Sequence, residues 1–236
     1  MKTGWIALGM RWLGSHELAV WLALLLIVGC VWIFIALAGE MIEGDTRAFD
    51  EKLIVAMRNP ADHSDPVGPK WLEEFARDMT ALGGMGVVTL LTVATIGFLL
   101  LQHKPRSAAF ILFAVAGGLL LSSLLKSGFD RPRPELVPHG SYVYTASFPS
   151  GHSAMSAVTY LTLGALLARI QNRRRLKAYI ILWALLVTIA VGVSRVYLGV
   201  HWPTDVLAGW TLGVSWALTC WLAARWLQRR RQVEED

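Results

Sequence analysis

Six long apolar stretches are the feature of the sequence that most limits its fold. A helix needs about 20 apolar residues to cross the hydrocarbon core of a bilayer, and six segments of this chain approach that length. We therefore predict an all-α integral membrane protein, a bundle of six transmembrane helices that forms a single domain over residues 1–236. The predicted spans are residues 18–39, 83–101, 108–125, 153–170, 178–194 and 206–227.

The composition agrees with a membrane protein. Charged residues make up 17% of the chain and hydrophobic residues 55%, whereas a soluble domain has roughly a quarter charged residues. The two cysteines, Cys30 and Cys220, lie inside apolar stretches, so neither a disulfide nor a zinc site is expected. The first span ends in Ala-Leu-Ala at residues 36–38, which resembles a signal-peptidase site. Its apolar run is longer than that of a signal peptide, so we interpret it as a retained helix.

Basic residues in the predicted turns indicate the orientation of the bundle, because cytoplasmic turns carry an excess of Lys and Arg. The bases fall on one side, at Lys2, Arg11, Lys104, Arg106, Arg173, Arg174, Arg175, Lys177, Arg229, Arg230 and Arg231. Both termini are therefore predicted to be cytoplasmic in a multi-pass cell (inner) membrane protein. Residues 40–82, 126–152 and 195–205 would face the periplasm or the exterior. This placement accounts for the net charge of +5 without a nucleic-acid partner.

The first outer segment, residues 40–82, has apolar residues at helical spacing on both sides of a break at Asn59-Pro60. The pattern predicts one or two short amphipathic helices on the outer membrane surface. A solvated loop with scattered apolar residues is the alternative. The residues that carry the pattern are Phe49, Leu53, Ile54, Met57, Trp71, Leu72 and Phe75.

Three polar clusters lie at the predicted outer ends of the spans. They are Lys-Ser-Gly-Phe-Asp-Arg-Pro-Arg-Pro at 126–134, Phe-Pro-Ser-Gly-His-Ser at 148–153, and Ser-Arg-Val-Tyr-Leu-Gly-Val-His-Trp-Pro-Thr-Asp at 194–205. Ionisable groups at membrane depth are costly, so they mark functional sites. Cations, two histidines and one carboxylate together suit the chemistry of a phosphoryl group.

Each cluster offers groups that can bind a phosphate. Lys126, Arg133 and Arg195 can surround its oxygens, and the fork of an arginine pairs with two oxygens at once. The Pro-Ser-Gly-His segment precedes an apolar run and is expected to begin the fourth span, where helix N–H groups and the helix dipole favour an anion. Gly151 permits close approach of the backbone, and the hydroxyl of Ser150 can donate a hydrogen bond.

His201 and Asp205 are four residues apart, on one face of a helical turn, and Pro203 is well placed near a helix start. The pair resembles the base and its orienting carboxylate in nucleophilic triads, where the carboxylate fixes the imidazole tautomer and stabilises positive charge. The other histidines are not predicted to be catalytic: His16, His63, His103 and His139.

The three clusters resemble the signature of the type 2 phosphatidic acid phosphatase (PAP2) superfamily, in its bacterial six-span lipid phosphatase branch. That signature reads Lys-x6-Arg-Pro, Pro-Ser-Gly-His and Ser-Arg-x5-His-x3-Asp. Arg131-Pro132 lies two residues too close to Lys126 to match. The motifs cover residues 126–205, and every defining position is present: Lys126, Arg133, Pro134, Pro149, Ser150, Gly151, His152, Ser194, Arg195, His201 and Asp205.

The resemblance implies a metal-independent lipid phosphatase with its active site at the outer membrane surface. His201 would attack phosphorus and form a phosphohistidine, and Asp205 would orient it. His152 would protonate the leaving oxygen and then act as the base for water. No cofactor is expected, and the clusters contain too few carboxylates for a metal site. The phosphate would be bound by Lys126, Arg133, Ser150, Gly151, Ser194 and Arg195.

The predicted substrate is a phospholipid or isoprenoid-lipid phosphate whose tails stay in the bilayer. Undecaprenyl pyrophosphate, phosphatidylglycerol phosphate, phosphatidate and a lipid A phosphate all fit. A lipid phosphotransferase would use the same residues with another lipid or a sugar as acceptor, so that alternative stays open. Soluble vanadium haloperoxidases share the signature, but six spans in so short a chain argue against them. A transporter is disfavoured because the spans contain almost no ionisable residues to line a pathway.

Overall fold

The computed structural model describes residues 15–137 and 145–234, and the side chains of residues 18–137 and 145–228. Within these ranges the chain forms eight helices and one hairpin. Predictions about Lys2, Arg11, His16 and His139, and about the side chains of residues 229–231, lie outside the described part. The elements are α1 (Ser15–Glu43), α2 (Arg47–Ala56), β1 (Arg58–Asn59), β2 (Asp62–Pro66), α3 (Lys70–Ala81), α4 (Met85–Leu101), α5 (Pro105–Gly128), α6 (Gly151–Arg169), α7 (Arg174–Tyr197) and α8 (Pro203–Glu234).

Helices occupy all six segments that were predicted to span the membrane, namely α1 and α4 to α8. By length and composition, four of them could cross a bilayer, over Leu18–Glu43, Pro105–Gly128, Arg174–Tyr197 and Pro203–Gln228. A fifth crossing is reached if α3 and α4, which meet at a 49° bend, form one broken span. The predominantly helical membrane fold is therefore confirmed, and the count of six spans stays a prediction.

Helix α6 falls outside that set, and its position explains why. It lies at the centre of the bundle, packed against α5, α7 and α8, and its first half is almost entirely buried. A helix surrounded by protein does not need a uniformly apolar surface, and its many Ser, Ala, Thr and Gly residues let neighbouring helices approach closely. The sequence of the first half of α6 is thus suited to contact with protein rather than with lipid.

The first outer segment forms α2, a two-stranded hairpin and α3, and the hairpin at the predicted break was not itself predicted. Asn59 Oδ1 accepts from the backbone N–H of Ala61 at 3.1 Å, and Asp62 Oδ1 accepts from the backbone N–H of Ser64 at 2.8 Å. These local side-chain bonds favour a turn over a helix. The location of α2 and α3 on the membrane surface stays a prediction.

The three polar clusters meet at one end of the bundle. Helices α5 and α7 end there, and α6 and α8 begin there. Helix α3 packs against α7 and α2 contacts α8, so the first outer segment covers the same end. The basic turns that contain Lys104 and residues 173–177 lie at the opposite end, because consecutive helices alternate in direction.

Candidate active site

His201 lies in the short connection between α7 and α8, and only 1% of it is exposed. Gly199 has a φ of +69°, a left-handed conformation that glycine adopts without strain and that turns the chain toward α8. The His201 Nδ1 lies 3.3 Å from Asp205 Oδ2 and 3.4 Å from Ser147 Oγ. Its Nε2 lies 3.2 Å from Arg133 Nη1.

These contacts indicate which nitrogen of His201 carries the proton. A carboxylate only accepts hydrogen bonds and a guanidinium only donates them, so we assign the proton to Nδ1 and the lone pair to Nε2. Burial lowers the pKa of His201 well below its usual value, and the positive charges of Arg195, Arg133 and Lys126 lower it further. The imidazole is therefore neutral at physiological pH, which is the form that can act as a nucleophile.

Asp205 is fully buried in the first turn of α8, and both of its oxygens are engaged. Its Oδ2 faces His201, accepts from the backbone N–H of Trp202 at 3.0 Å, and accepts from the hydroxyl of Ser147. Its Oδ1 accepts from Arg131 Nη1 at 2.6 Å. The bond to the N–H of Trp202 is of the capping-box kind, which stabilises a helix start. The carboxylate is thus fixed in one orientation toward the imidazole.

Arg133 is held beside His201 by backbone carbonyl groups. Its Nε donates to the Thr145 carbonyl at 2.9 Å, and its Nη1 donates to the Val200 carbonyl at 2.6 Å. Burial lowers the pKa of Arg133, although the nearby carboxylate of Asp205 opposes this shift. The guanidinium is therefore held next to Nε2 of His201 by its bonds to the backbone.

Arg195, at the end of α7, is only 2% exposed. Its Nη1 donates to Thr80 Oγ1 of α3 at 2.9 Å. Its Nε has no hydrogen-bond partner within the described ranges. A buried guanidinium N–H without a partner is costly, and a phosphate oxygen would satisfy it with a charge-assisted hydrogen bond.

Lys126, at the end of α5, faces the start of α6. A Cβ placed on Gly151 would lie 3.9 Å from Lys126 Nζ, so the ammonium group lies close to the backbone of this helix start. Ser150 is the N-cap of α6, and its Oγ accepts from the backbone N–H and the hydroxyl of Ser153 at 3.4 and 2.9 Å. The proton of the Ser150 hydroxyl is left to donate. The ammonium, the hydroxyl and the helix start together suit an anion.

His152 lies in the first turn of α6, beside the break between α3 and α4. A Cβ on Gly84 would lie 3.7 Å from His152 Nε2, and one on Gly83 would lie 2.9 Å from the His152 carbonyl oxygen. Gly84 therefore leaves space beside the ring, and Gly83 permits close approach to the backbone of His152. His152 also interacts electrostatically with Arg195 and His201, so both histidines belong to one cluster.

The structure brings together all the predicted site residues, but it gives Ser194 a different contact. Ser194 is buried in the last turn of α7, and its hydroxyl donates to the Val191 carbonyl of the same helix at 2.7 Å. Its role in phosphate binding stays a prediction.

Two residues beside this site, Arg131 and the buried Asp50, were missed by sequence reasoning. Arg131 was set aside because its spacing from Lys126 does not fit the signature, yet it contacts Asp205 directly. Its second partner is Asp50 of α2, at 2.7 Å from Arg131 Nη2. One signal could have found Asp50, because it shares a helix face with the buried Ile54. A carboxylate on the buried face of a helix needs a partner.

Known proteins resemble this chain in sequence and in structure. The family model for the PAP2 superfamily matches residues 107–229. Phosphatidylglycerophosphatase B of Bacillus subtilis is 32% identical over 77% of this chain and 86% of that protein. A lipid A 1-phosphatase of Rhizobium johnstonii is 30% identical over 47% of this chain and 45% of that protein. The crystal structure of a transmembrane PAP2-type phosphatidylglycerolphosphate phosphatase from Bacillus subtilis has a TM-score of 0.74 at 28% identity, covering 84% of this chain and 96% of that one.

The apolar helices and these phosphatase relatives define a hydrolase of the membrane lipid phosphatase class. The family match covers more than half of the sequence, and the chain belongs to the PAP2 superfamily. The resemblance predicted from the three polar clusters is therefore confirmed.

Proposed function

We propose that this protein hydrolyses a phosphomonoester or pyrophosphate of a membrane lipid through a phosphohistidine on His201. The observation that carries the proposal is the environment of His201 Nε2. This nitrogen lies 3.2 Å from a guanidinium that would also contact the phosphate, while Nδ1 of the same ring lies 3.3 Å from Asp205, so we assign the lone pair to Nε2. A nucleophile, its orienting carboxylate and an anion-binding group are thus contiguous.

The reaction proceeds in two displacements at phosphorus. His201 Nε2 attacks, the bond from phosphorus to the lipid oxygen breaks, and His152 gives a proton to that oxygen. Asp205 stabilises the positive charge that develops on the His201 ring. Water then attacks the phosphohistidine while His152 accepts its proton, and inorganic phosphate leaves with His201 restored. Lys126, Arg133 and Arg195 stabilise the charge on the phosphoryl oxygens, which usually supplies the largest share of the rate enhancement.

Phosphatidylglycerol phosphate is the first substrate to test. The alignment with phosphatidylglycerophosphatase B covers most of both chains, whereas the alignment with lipid A 1-phosphatase covers less than half of either. Phosphate release from purified protein is measured with phosphatidylglycerol phosphate, undecaprenyl pyrophosphate, phosphatidate and a lipid A phosphate as separate substrates. Free phosphate released with no second lipid present distinguishes a hydrolase from a phosphotransferase. Release from none of the four would refute the proposal.

Chelators are expected to leave phosphate release unchanged, and vanadate is expected to inhibit it. The groups around His201 are mainly cationic, and in the described part of the chain no cluster of three or more His, Cys, Asp or Glu side chains could hold a metal ion. Vanadate adopts the pentacoordinate geometry of phosphorus in the transition state. The measurement is phosphate release with EDTA or with vanadate, with a metal-dependent phosphatase as control. Loss of activity in EDTA that a divalent ion restores would contradict this prediction.

The active site is expected to face the periplasm or exterior, because the basic turns lie at the opposite end of the bundle. The hairpin lies at the site end, since Arg58 Nη2 donates to the Tyr197 carbonyl at 2.8 Å. In a protein whose native cysteines are replaced by alanine, a cysteine at the exposed His63 should react with a membrane-impermeant maleimide in intact spheroplasts. A cysteine at Asn172 should react only after the membrane is opened. The reverse pattern would place the site on the cytoplasmic leaflet.

A further inference from the structure

Two buried carboxylates bridged by one arginine lie directly behind the candidate nucleophile. Arg131 Nη1 donates to Asp205 Oδ1 at 2.6 Å, and Arg131 Nη2 donates to Asp50 Oδ2 at 2.7 Å. Both carboxylates are fully buried, and the arginine side chain is 10% exposed. The guanidinium also lies over the ring of Trp202, with its carbon 5.4 Å from the ring centroid. Arg131 is therefore held in one position by groups on three sides.

Asp50 is joined to the start of α8 by more than this ion pair. Its Oδ1 accepts from the backbone N–H of Thr204 at 3.0 Å, and its Oδ2 accepts from the Thr204 hydroxyl at 2.7 Å. The first N–H groups of a helix have no partner within the helix. Asp50, from a different part of the chain, supplies such a partner to the N–H of Thr204, the residue before Asp205. Arg131 Nη1 also donates to the Thr204 hydroxyl at 2.8 Å, which closes the network.

The charges in this network link Asp50 to the chemistry. An imidazole that attacks phosphorus becomes positively charged, and the carboxylate behind it stabilises that charge. Arg131 on its own would neutralise Asp205 and weaken this stabilisation. With the second buried carboxylate, Asp50, the three side chains of Arg131, Asp205 and Asp50 together carry a net negative charge. In a buried site such a charge acts more strongly than it would in water.

We propose that Asp50 is a positioning residue for the phosphohistidine step, which holds Asp205 and its negative charge toward His201 through Arg131. The inference rests on the proposed function, because it takes His201 as the nucleophile. The side chain of Asp50 bonds to Arg131 and Thr204. Asp50 therefore acts on turnover and not on phosphate binding. It also makes α2, which lies outside the three motifs, part of the catalytic apparatus.

The test compares Asp50→Asn with wild type, both full-length and purified in detergent, on the lipid phosphate that the wild type hydrolyses. The kcat is expected to fall about 10- to 100-fold, the effect of losing one hydrogen bond to a charged group. The KM is expected to change less than twofold, and phosphoenzyme formation in single-turnover assays should slow as much as kcat. Glu51→Gln is the matched control, since Glu51 is the next residue of α2 and, among the described residues, forms its ion pair with the exposed Arg47 at 2.8 Å. Its kcat should equal that of wild type.

A double-mutant cycle with Arg131→Gln tests whether Asp50 acts through Arg131. The double variant is then expected to be no slower than the slower single variant, and losses that multiply would overturn the proposal. A kcat of Asp50→Asn within twofold of wild type, or an effect on KM alone, would also overturn it.

If Asp50→Asn does not fold, as judged by thermal unfolding, Arg131→Lys replaces it as the test variant. A lysine cannot hold both carboxylates as a fork does, so a wild-type kcat in that variant overturns the proposal.

The same experiment separates this inference from the proposed function. A wild type that releases phosphate from none of the lipids would refute both. A wild type that is active and forms a phosphoenzyme, together with an equally active Asp50→Asn, would refute only the role of Asp50.

Discussion

Replacement of His201 by alanine is expected to lower kcat for phosphate release by at least about 1,000-fold, because removing the proposed nucleophile would leave only binding and electrostatic stabilisation. Asp205 would keep its bonds to Arg131, Ser147 and the backbone N–H of Trp202, so the start of α8 should stay folded. Single-turnover assays with labelled lipid, quenched and separated by electrophoresis, should show a phosphoenzyme in the wild type and none in the variant.

The matched control is His63→Ala, because His63 is exposed on the hairpin and far from the site in sequence. Its kcat should equal that of wild type. His201→Gln keeps a polar side chain at the buried position and separates a loss of chemistry from a loss of folding. Turnover of His201→Ala within tenfold of wild type would remove His201 from the role of nucleophile.

The convergence of the three clusters could be predicted because consecutive membrane helices alternate in direction. Once the spans were placed, Lys126, Ser150 and Arg195 had to lie at the same end of the bundle. The helical spacing of His201 and Asp205 likewise predicted that their side chains would meet, and the structure places them 3.3 Å apart. Regular helical geometry was sufficient for these residues.

Asp50 and Arg131 could not be found in the same way, because their contacts are tertiary. Asp50 bonds to Thr204, 154 positions away in the sequence, through the docking of α2 onto α8. Spacing within a motif contains no information on such a contact. Arg131 lies two residues from Arg133, and only the path of the chain after α5 decides which arginine faces His201 and which faces Asp205.

Hydropathy was least informative where helices contact protein instead of lipid. The prediction of a span at 153–170 relied on apolar character, yet the first half of α6 is almost entirely buried against other helices and is rich in small polar residues. Close packing of that kind depends on glycine at particular contacts. Hydropathy does not distinguish such positions, although substitution of one of them is expected to lower both stability and activity.

Gly209 of α8 packs against the start of α6, next to the candidate active site. A Cβ at this position would lie 2.5 Å from the Ser150 carbonyl oxygen and 2.9 Å from Ser153 Cβ. The carbonyl belongs to the backbone, so it cannot rotate away as a flexible side chain could. Ser150 and Asp205 are hydrogen-bonded to each other beside this contact, because the backbone N–H of Ser150 donates to the Asp205 carbonyl at 2.9 Å. A methyl group would therefore force the start of α6, where we propose that phosphate binds, away from Asp205.

Gly209→Ala is expected to lower the thermal midpoint and to reduce kcat/KM at least about 100-fold, since a displacement of about 1 Å can cost that much. The overpacking itself is expected to cost about 1–3 kcal/mol. Gly97→Ala in α4 is the matched control, because within the described residues no atom beyond the adjoining residues and backbone of its own helix lies within 4 Å of a Cβ there. Alanine favours a helix over glycine at both positions by about 1 kcal/mol, so the control should be neutral or stabilised and fully active. The difference between the two variants measures the steric contact alone, and equal stability and activity would show that α6 and α8 do not need this close approach.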